Sequence, residues 1–183
     1  RAGISSKANQ QIYCRNRKKS CRKRIRNLKS LTTKDVLIIG AGAAGSTAAF
    51  HLAKAGHKVT LLEKNLKSPV KPCGGGMASS VQQWFPFDLM PVVDEVIKRV
   101  DFSWRLADPI LAELPGSSPF WIVRREKLDL YIANQAINAG AELLQPFNVT
   151  QLQKKGRFWR VTSEGGHQIE AKAVVIADGS RSP

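Results

Sequence analysis

The chain has 183 residues, 43% of them hydrophobic and 23% charged, enough for one domain with its own core and unlike a wholly disordered polypeptide. Lys and Arg number 29 against 14 Asp and Glu, a formal charge of +15, and on composition alone that excess points to nucleic acid or an anionic membrane surface. No run of about 18 apolar residues occurs, which excludes a membrane-spanning helix, and 3 cysteines are too few for a disulfide scaffold.

The charge is uneven. Residues 1–34 hold 12 Lys or Arg and no acid, whereas residues 35–183 hold 17 basic and 14 acidic residues. The first segment is densest between Arg15 and Arg26 and has too few apolar residues to bury a core, so it reads as a disordered leader. Nucleic-acid binding, contact with anionic lipid and organellar targeting all fit its composition, as does a plain solvated tail. No recognition fold accompanies the charge, so no specific nucleic-acid partner is expected. Cys14 and Cys21 are not spaced as zinc ligands, and no metal site is expected.

From Asp35 the composition changes. Asp35–Ile39 is a short branched apolar run and reads as a buried parallel strand. Gly40-Ala41-Gly42-Ala43-Ala44-Gly45 follows, a G-x-G-x-x-G. Ser46–Ala55 reads as a helix with small residues on one side, and Gly56 as its C-cap. Lys58–Leu62 reads as a second strand ending at Glu63. Each part has a physical task. Gly40 permits a tight strand-to-helix turn, Gly42 lets backbone approach a pyrophosphate, and Gly45 lets the helix lie close to the sheet. The helix N-terminus presents N–H groups and the positive end of its dipole to phosphate. Glu63 can accept both hydroxyls of an adenosine ribose, which favours FAD or NAD over NADP.

Further along, Leu128, Tyr131, Ile132, Ala136 and Ile137 recur at helical spacing, predicting a helix over 127–139 capped by Gly140. Phe147–Gln153 and Arg157–Ser163 alternate as strands, and Glu164–His167 supplies the turn to a last apolar strand, Ala173–Ala177, which runs into Asp178-Gly179. Residues 84–123 read as short strands of a smaller region. The predicted fold is α/β: a Rossmann-like FAD/NAD(P)-binding fold with a parallel sheet, an antiparallel insertion and the start of a smaller β-rich region. The expected domains are the leader, 1–34, and a dinucleotide-binding domain, 35–183, with 84–123 on its substrate side. All four tryptophans, Trp84, Trp104, Trp121 and Trp159, are expected in the core, and the three histidines at the surface or in packing.

The segment Asp35–Lys64, with Lys71-Pro72-Cys73-Gly74-Gly75-Gly76-Met77, resembles the start of a geranylgeranyl reductase-type flavoprotein, within the group of FAD-dependent oxidoreductases that includes p-hydroxybenzoate hydroxylase. Arg125-Glu126-Lys127-Leu128-Asp129 resembles that group's R-x-x-F-D helix start, with Leu128 for Phe, and Ala177–Ser182 resembles its second conserved turn. The likeness spans 35–183. It implies that Gly40, Gly42, Ala44 and Gly45 contact the FAD pyrophosphate, Glu63 the ribose, Arg125 cofactor phosphate or ribose and the Val149 backbone the adenine. Asp178 and Gly179 would line the ligand crevice, and Cys73, Gly74 and Gly75 the flavin side, where glycines let the chain pass a flat ring. Cys73 also reads as a candidate for substrate gating, with Lys71 as the one neighbour expected to lower its pKa.

The implied activity is reduction of C=C bonds in a geranylgeranyl or other prenyl chain, with NAD(P)H or ferredoxin as electron donor. An FAD-dependent monooxygenase or halogenase of the same superfamily is the second reading, and a basic nucleic-acid- or membrane-binding protein acting through residues 1–34 the third. A prenyl substrate makes peripheral membrane contact plausible, in an intracellular protein that is cytoplasmic or membrane-peripheral. In the resembled family the flavin fold continues with a G-D-A-type segment, so this stretch is expected to be an N-terminal fragment with little activity of its own.

Overall fold

A computed structural model describes residues 34–66 and 71–180. Residues 1–33, including Cys14 and Cys21, lie outside it, as do Arg181 and Ser182 of the second turn. β1 (Lys34–Ile39) is the branched apolar run, and Leu37 and Ile38 are completely buried. It pairs in parallel with β2 (Val59–Leu62) on one side and with β11 (Gln168–Ile176) on the other. β8 (Glu142–Leu144) extends the parallel part beyond β2, and the antiparallel strands β10 (Phe158–Ser163) and β9 (Val149–Lys155) complete the order β8-β2-β1-β11-β10-β9. The expected parallel core with an antiparallel insertion is the architecture found.

β11 starts five residues earlier than the apolar run suggested. Its first half, Gln168–Ala171, pairs with β10, and Ala171–Ile176 pairs with β1. One strand serves two neighbours, and its first half alternates Gln168 and Glu170 with the buried Ile169 and Ala171, so it lacks the continuous apolar run of the second half. Helix α1 (Ala43–Lys54) begins three residues before the expected Ser46 and buries Ala49, Phe50 and Ala53 against β1 and β2. Helix α2 (Arg125–Asn138) begins two residues before the expected Lys127 and packs beside α1 through Ala136. Gly56 and Gly140 follow these helices at φ +90° and +106°, the left-handed conformation a C-terminal glycine supplies.

Residues 76–123 form two small antiparallel sheets. β3 (Gly76–Ala78), β7 (Phe120–Val123) and β4 (Val93–Ile97) make one, in the order β3-β7-β4. β5 (Arg99–Trp104) and β6 (Ala107–Glu113) pair with each other as a ribbon. Trp121 is buried with Leu89, Val92, Val123, Leu128 and Ile132 in a second apolar cluster. Trp84 and Trp104 are not core residues: they are 66% and 74% exposed. Trp84 ends a short 3-10 helix and Trp104 the strand β5, and a two-stranded ribbon has no second layer to cover its side chains. Among the described residues no helix is long and apolar enough to cross a membrane.

Candidate functional site

The parallel strands β1, β2 and β11 end together, and their C-terminal edge carries most of the residues singled out by the sequence. Gly40 leaves β1 at φ +99°; a Cβ there would run into the Ala177 carbonyl and stand 2.9 Å from the Asp178 Cα. Its N–H donates to the Leu62 carbonyl at 2.8 Å, so the turn is tied to both neighbouring strands. At Gly45 a Cβ would overlap the Gly40 carbonyl, which is how close α1 comes to the strand end.

Gly42 is the N-cap of α1 and provides no side-chain cap; the first turn contains no acidic residue. The helix's own ladder starts at the Ser46 N–H, which donates to the Gly42 carbonyl at 2.9 Å. The amides of the turn before it are the ones a helix leaves without intrahelical partners, and they gather its positive dipole end. Ala44 is exposed beside them. The arrangement favours an anion.

Glu63 stands at the tip of β2. Its Oε2 accepts the Ala41 N–H at 3.0 Å, and its Oε1 accepts the Asn65 backbone N–H at 2.9 Å and Asn65 Nδ2 at 3.0 Å. The carboxylate is thereby fixed against the glycine turn. The Phe147 N–H donates to the Glu63 carbonyl at 2.7 Å, two residues before Val149 opens β9. Asp178, half-buried, and Gly179, at φ +89°, follow β11 where it meets Gly40.

The loop carrying Cys73 joins this edge through a buried carboxylate. Asp129, on α2, is 1% exposed. Its Oδ1 accepts Arg125 Nε and Nη2, both at 3.2 Å, and its Oδ2 accepts Lys71 Nζ. Cys73 is exposed. The Gly75 N–H donates to its Sγ at 3.4 Å, and this hydrogen bond, followed by the Arg125 guanidinium, lowers the thiol pKa. The sequence pointed to Lys71 as the cation acting on Cys73; Arg125 acts on it instead, while Lys71 is engaged by Asp129. Gly75 has φ +76°, and a Cβ there would overlap the Val123 carbonyl, so the loop presses directly on β7. Gly74 is exposed.

Asp129 is the site residue that sequence reasoning missed. An acid four residues after Arg125 is an ordinary helical surface pair. The stronger signal is its position next to Leu128 and one turn before Ile132 and Ala133, on the buried side of α2. Beside the glycine turn an apolar cleft of about 500 Å³ opens between α1 and the 3-10 segment, lined by Ala44, Thr47, Met77, Trp84, Phe85 and Leu128.

The glycine turn, the uncapped helix and the fixed acid form a βαβ unit of the kind found in dinucleotide-binding folds. Residues 34–183 match the family model described as pyridine nucleotide-disulphide oxidoreductase. The chain belongs to that family. The chain is 36% identical over 162 residues to the digeranylgeranylglycerophospholipid reductase of Picrophilus torridus, with 81% of this chain and 40% of that protein covered. It is 34% identical over 163 residues to an uncharacterized protein in the nifH2 5′ region of Methanosarcina barkeri, covering 81% and 83%. A geranylgeranyl bacteriochlorophyll reductase-like structure from Thermoplasma acidophilum superposes with a TM-score of 0.70 at 26% identity, covering 80% of this chain and 39% of that one. The halogenase PltM, solved with phloroglucinol and FAD, shares the fold at a TM-score of 0.66 and 20% identity, over 82% and 35%. The chain therefore spans about 40% of the reductase it matches and most of the Methanosarcina protein. Its fold is that of the FAD-dependent oxidoreductases.

Proposed function

We propose that this chain is the FAD-binding part of a flavin-dependent oxidoreductase that reduces C=C bonds of a prenyl chain, in the manner named for the digeranylgeranylglycerophospholipid reductases. The observation that carries the cofactor assignment is Gly42: it is an uncapped helix start whose Cβ direction holds no backbone, only the side-chain ends of Lys71 (Nζ at 3.1 Å) and Asp129 (Oδ2 at 3.9 Å). A Cβ would fill the space in which a phosphate fits, and an anion there meets helix amides and a cation. Gly40, Gly42, Ala44 and Gly45 would hold the pyrophosphate and Glu63 the adenosine ribose. Asp178 and Gly179 would line the crevice beyond Gly40, Val149 would offer its backbone to the adenine, and Cys73, Gly74 and Gly75 would lie along the flavin side. FAD, when bound, supplies hydride transfer, with electrons from NAD(P)H or ferredoxin.

The substrate assignment rests on the reductase likeness and on the apolar cleft next to the glycine turn, which suits an isoprenoid better than a polar substrate. What the chain itself does is bind and orient. The glycine turn sets the phosphate position, the Glu63 carboxylate is fixed before ligand arrives, and the tight glycine contacts keep the loop thin where a flat ring would pass.

Flavin titration of the purified chain tests the cofactor assignment. FAD fluorescence should be quenched with one-to-one saturation, and NADP should not compete. Absence of any FAD binding overturns the reading. For the reaction, anaerobic incubation of the whole FAD-loaded oxidoreductase with a reductant and a geranylgeranyl lipid should add hydrogen to the lipid without needing oxygen, and this chain alone should do so weakly or not at all; oxygen-dependent turnover instead would favour the monooxygenase or halogenase chemistry.

A further inference from the structure

We propose that Lys71 is a phosphate-contacting cation of the dinucleotide site, held over Gly42 by the buried carboxylate of Asp129; this rests on the dinucleotide reading above. The glycine that must stay bare for backbone to approach a phosphate has two side-chain atoms in its Cβ direction. A Cβ on Gly42 would stand 3.1 Å from Lys71 Nζ and 3.9 Å from Asp129 Oδ2. Lys71 is thus aimed at the helix start from across the chain, 29 positions away in sequence.

Asp129 explains why the ammonium stays there. Its side chain is 1% exposed, against 33% for Lys71 and 27% for Arg125. A carboxylate so deeply buried needs its charge compensated, and it takes Lys71 on Oδ2 and Arg125 mainly on Oδ1, with Arg125 Nη2 also 3.5 Å from Oδ2. Two cations on one acid leave a net positive charge, and the geometry divides their tasks. Arg125 lies against Asp129 and the Cys73 thiol. Lys71 is the cation at Gly42. An ammonium has three donors, so Lys71 can keep Asp129 and still reach a phosphate oxygen on the Gly42 side. Asp129 is then a positioning residue, and Arg125 completes the compensation of its charge.

Arg125 is the residue expected from the resemblance to reach cofactor phosphate or ribose; in this proposal Lys71 takes the phosphate at Gly42. It also gives the Lys71-Pro72-Cys73 segment a task in binding separate from the flavin side: its first residue belongs to the phosphate end.

The test compares ligands with and without phosphate on the full chain by calorimetry. Lys71→Gln should weaken ADP and FAD about tenfold or more, the scale of one charge-assisted hydrogen bond, while leaving adenosine affinity unchanged. Lys71→Arg should keep most of the ADP affinity. Asp129→Asn should weaken ADP although it makes the site more positive, because Lys71 loses its anchor. Unchanged ADP binding in Lys71→Gln overturns the proposal. So does an equal loss for adenosine, which would mark a structural role, and so does tighter ADP binding in Asp129→Asn. If the unaltered chain binds neither ADP nor FAD, the dinucleotide reading itself fails, an outcome distinct from a normal parent and an unaffected variant.

Discussion

Gly45 lies so close to the Gly40 carbonyl that no side chain can stand between them. The two glycines close the turn from β1 into α1, and they allow the helix start to face the strand end. Gly42, between them, has side-chain neighbours instead: the Lys71 ammonium and the Asp129 carboxylate. Gly45 and Gly42 therefore fail differently. Gly45→Ala must displace backbone and should destabilise the domain by about 1–3 kcal/mol, with FAD binding lost as a consequence. Gly42→Ala meets side-chain atoms only, Lys71 Nζ at 3.1 Å and Asp129 Oδ2 at 3.9 Å, so it should cost less stability than Gly45→Ala, the cost being a shifted Lys71–Asp129 pair, while FAD affinity drops. Urea unfolding and flavin titration of the two variants check this. Equal stability losses would contradict the separation of fold and phosphate approach.

Glu63 is held by Ala41 and Asn65, and in the proposed role it would offer a rigid acceptor to ribose hydroxyls. Glu63→Gln should weaken adenosine and ADP alike by about tenfold, the loss of charged hydrogen bonds. It should also narrow the preference for ADP over 2′-phospho-ADP, since the carboxylate repels that phosphate. Competition titrations with the two nucleotides measure the ratio. This pattern is the opposite of the one expected for Lys71→Gln, where only phosphate-bearing ligands suffer.

The Cys73 thiol should titrate below an ordinary cysteine. The Gly75 N–H, then the Arg125 guanidinium, stabilise the thiolate, so the reactive form persists to lower pH. The rate of alkylation by iodoacetamide against pH should show its midpoint below the usual thiol value. Arg125→Ala should move that midpoint upward and Lys71→Ala much less, because Lys71 is bound to Asp129 rather than to the sulfur. A midpoint that ignores Arg125 would contradict the arrangement.

Asp94 ties β4 to the start of α2. Its carboxylate accepts Arg124 Nε at 3.0 Å and Lys127 Nζ at 2.7 Å, and these two partners, Arg124 first, hold its pKa well below the usual carboxylate range. A carboxyl whose pKa falls on folding stabilises the folded state above its unfolded value of about 4 and loses that contribution as pH falls toward the folded value. Asp94→Asn should lower the unfolding midpoint at pH 7, modestly because the pair is solvent-exposed. The difference from the parent should shrink steadily below about pH 4. Thermal scans from pH 7 to pH 2 follow it.

Much of this protein was legible in order along the chain. Gly40, Gly42 and Gly45, then Glu63 at the end of an apolar strand, mark the strand–turn–helix–strand unit, because each constraint is local: a turn, a helix start, a strand end. Gly56 and Gly140 mark helix ends for the same reason. The full extent of β11 was not legible, since the polar residues Gln168, Glu170 and Lys172 belong to a strand only because β10 and β1 flank it. Nor were Trp84 and Trp104, whose apolar surface predicts burial while their elements provide no layer to cover them. Asp129 depends most on the tertiary structure. The sequence places it four residues from Arg125; only the packing of α2 against α1 and the loop from Lys71 buries it. Burial turns an ordinary helical acid into the anchor of two cations, because a desolvated carboxylate must be compensated where it lies, and Gly42 is next to it.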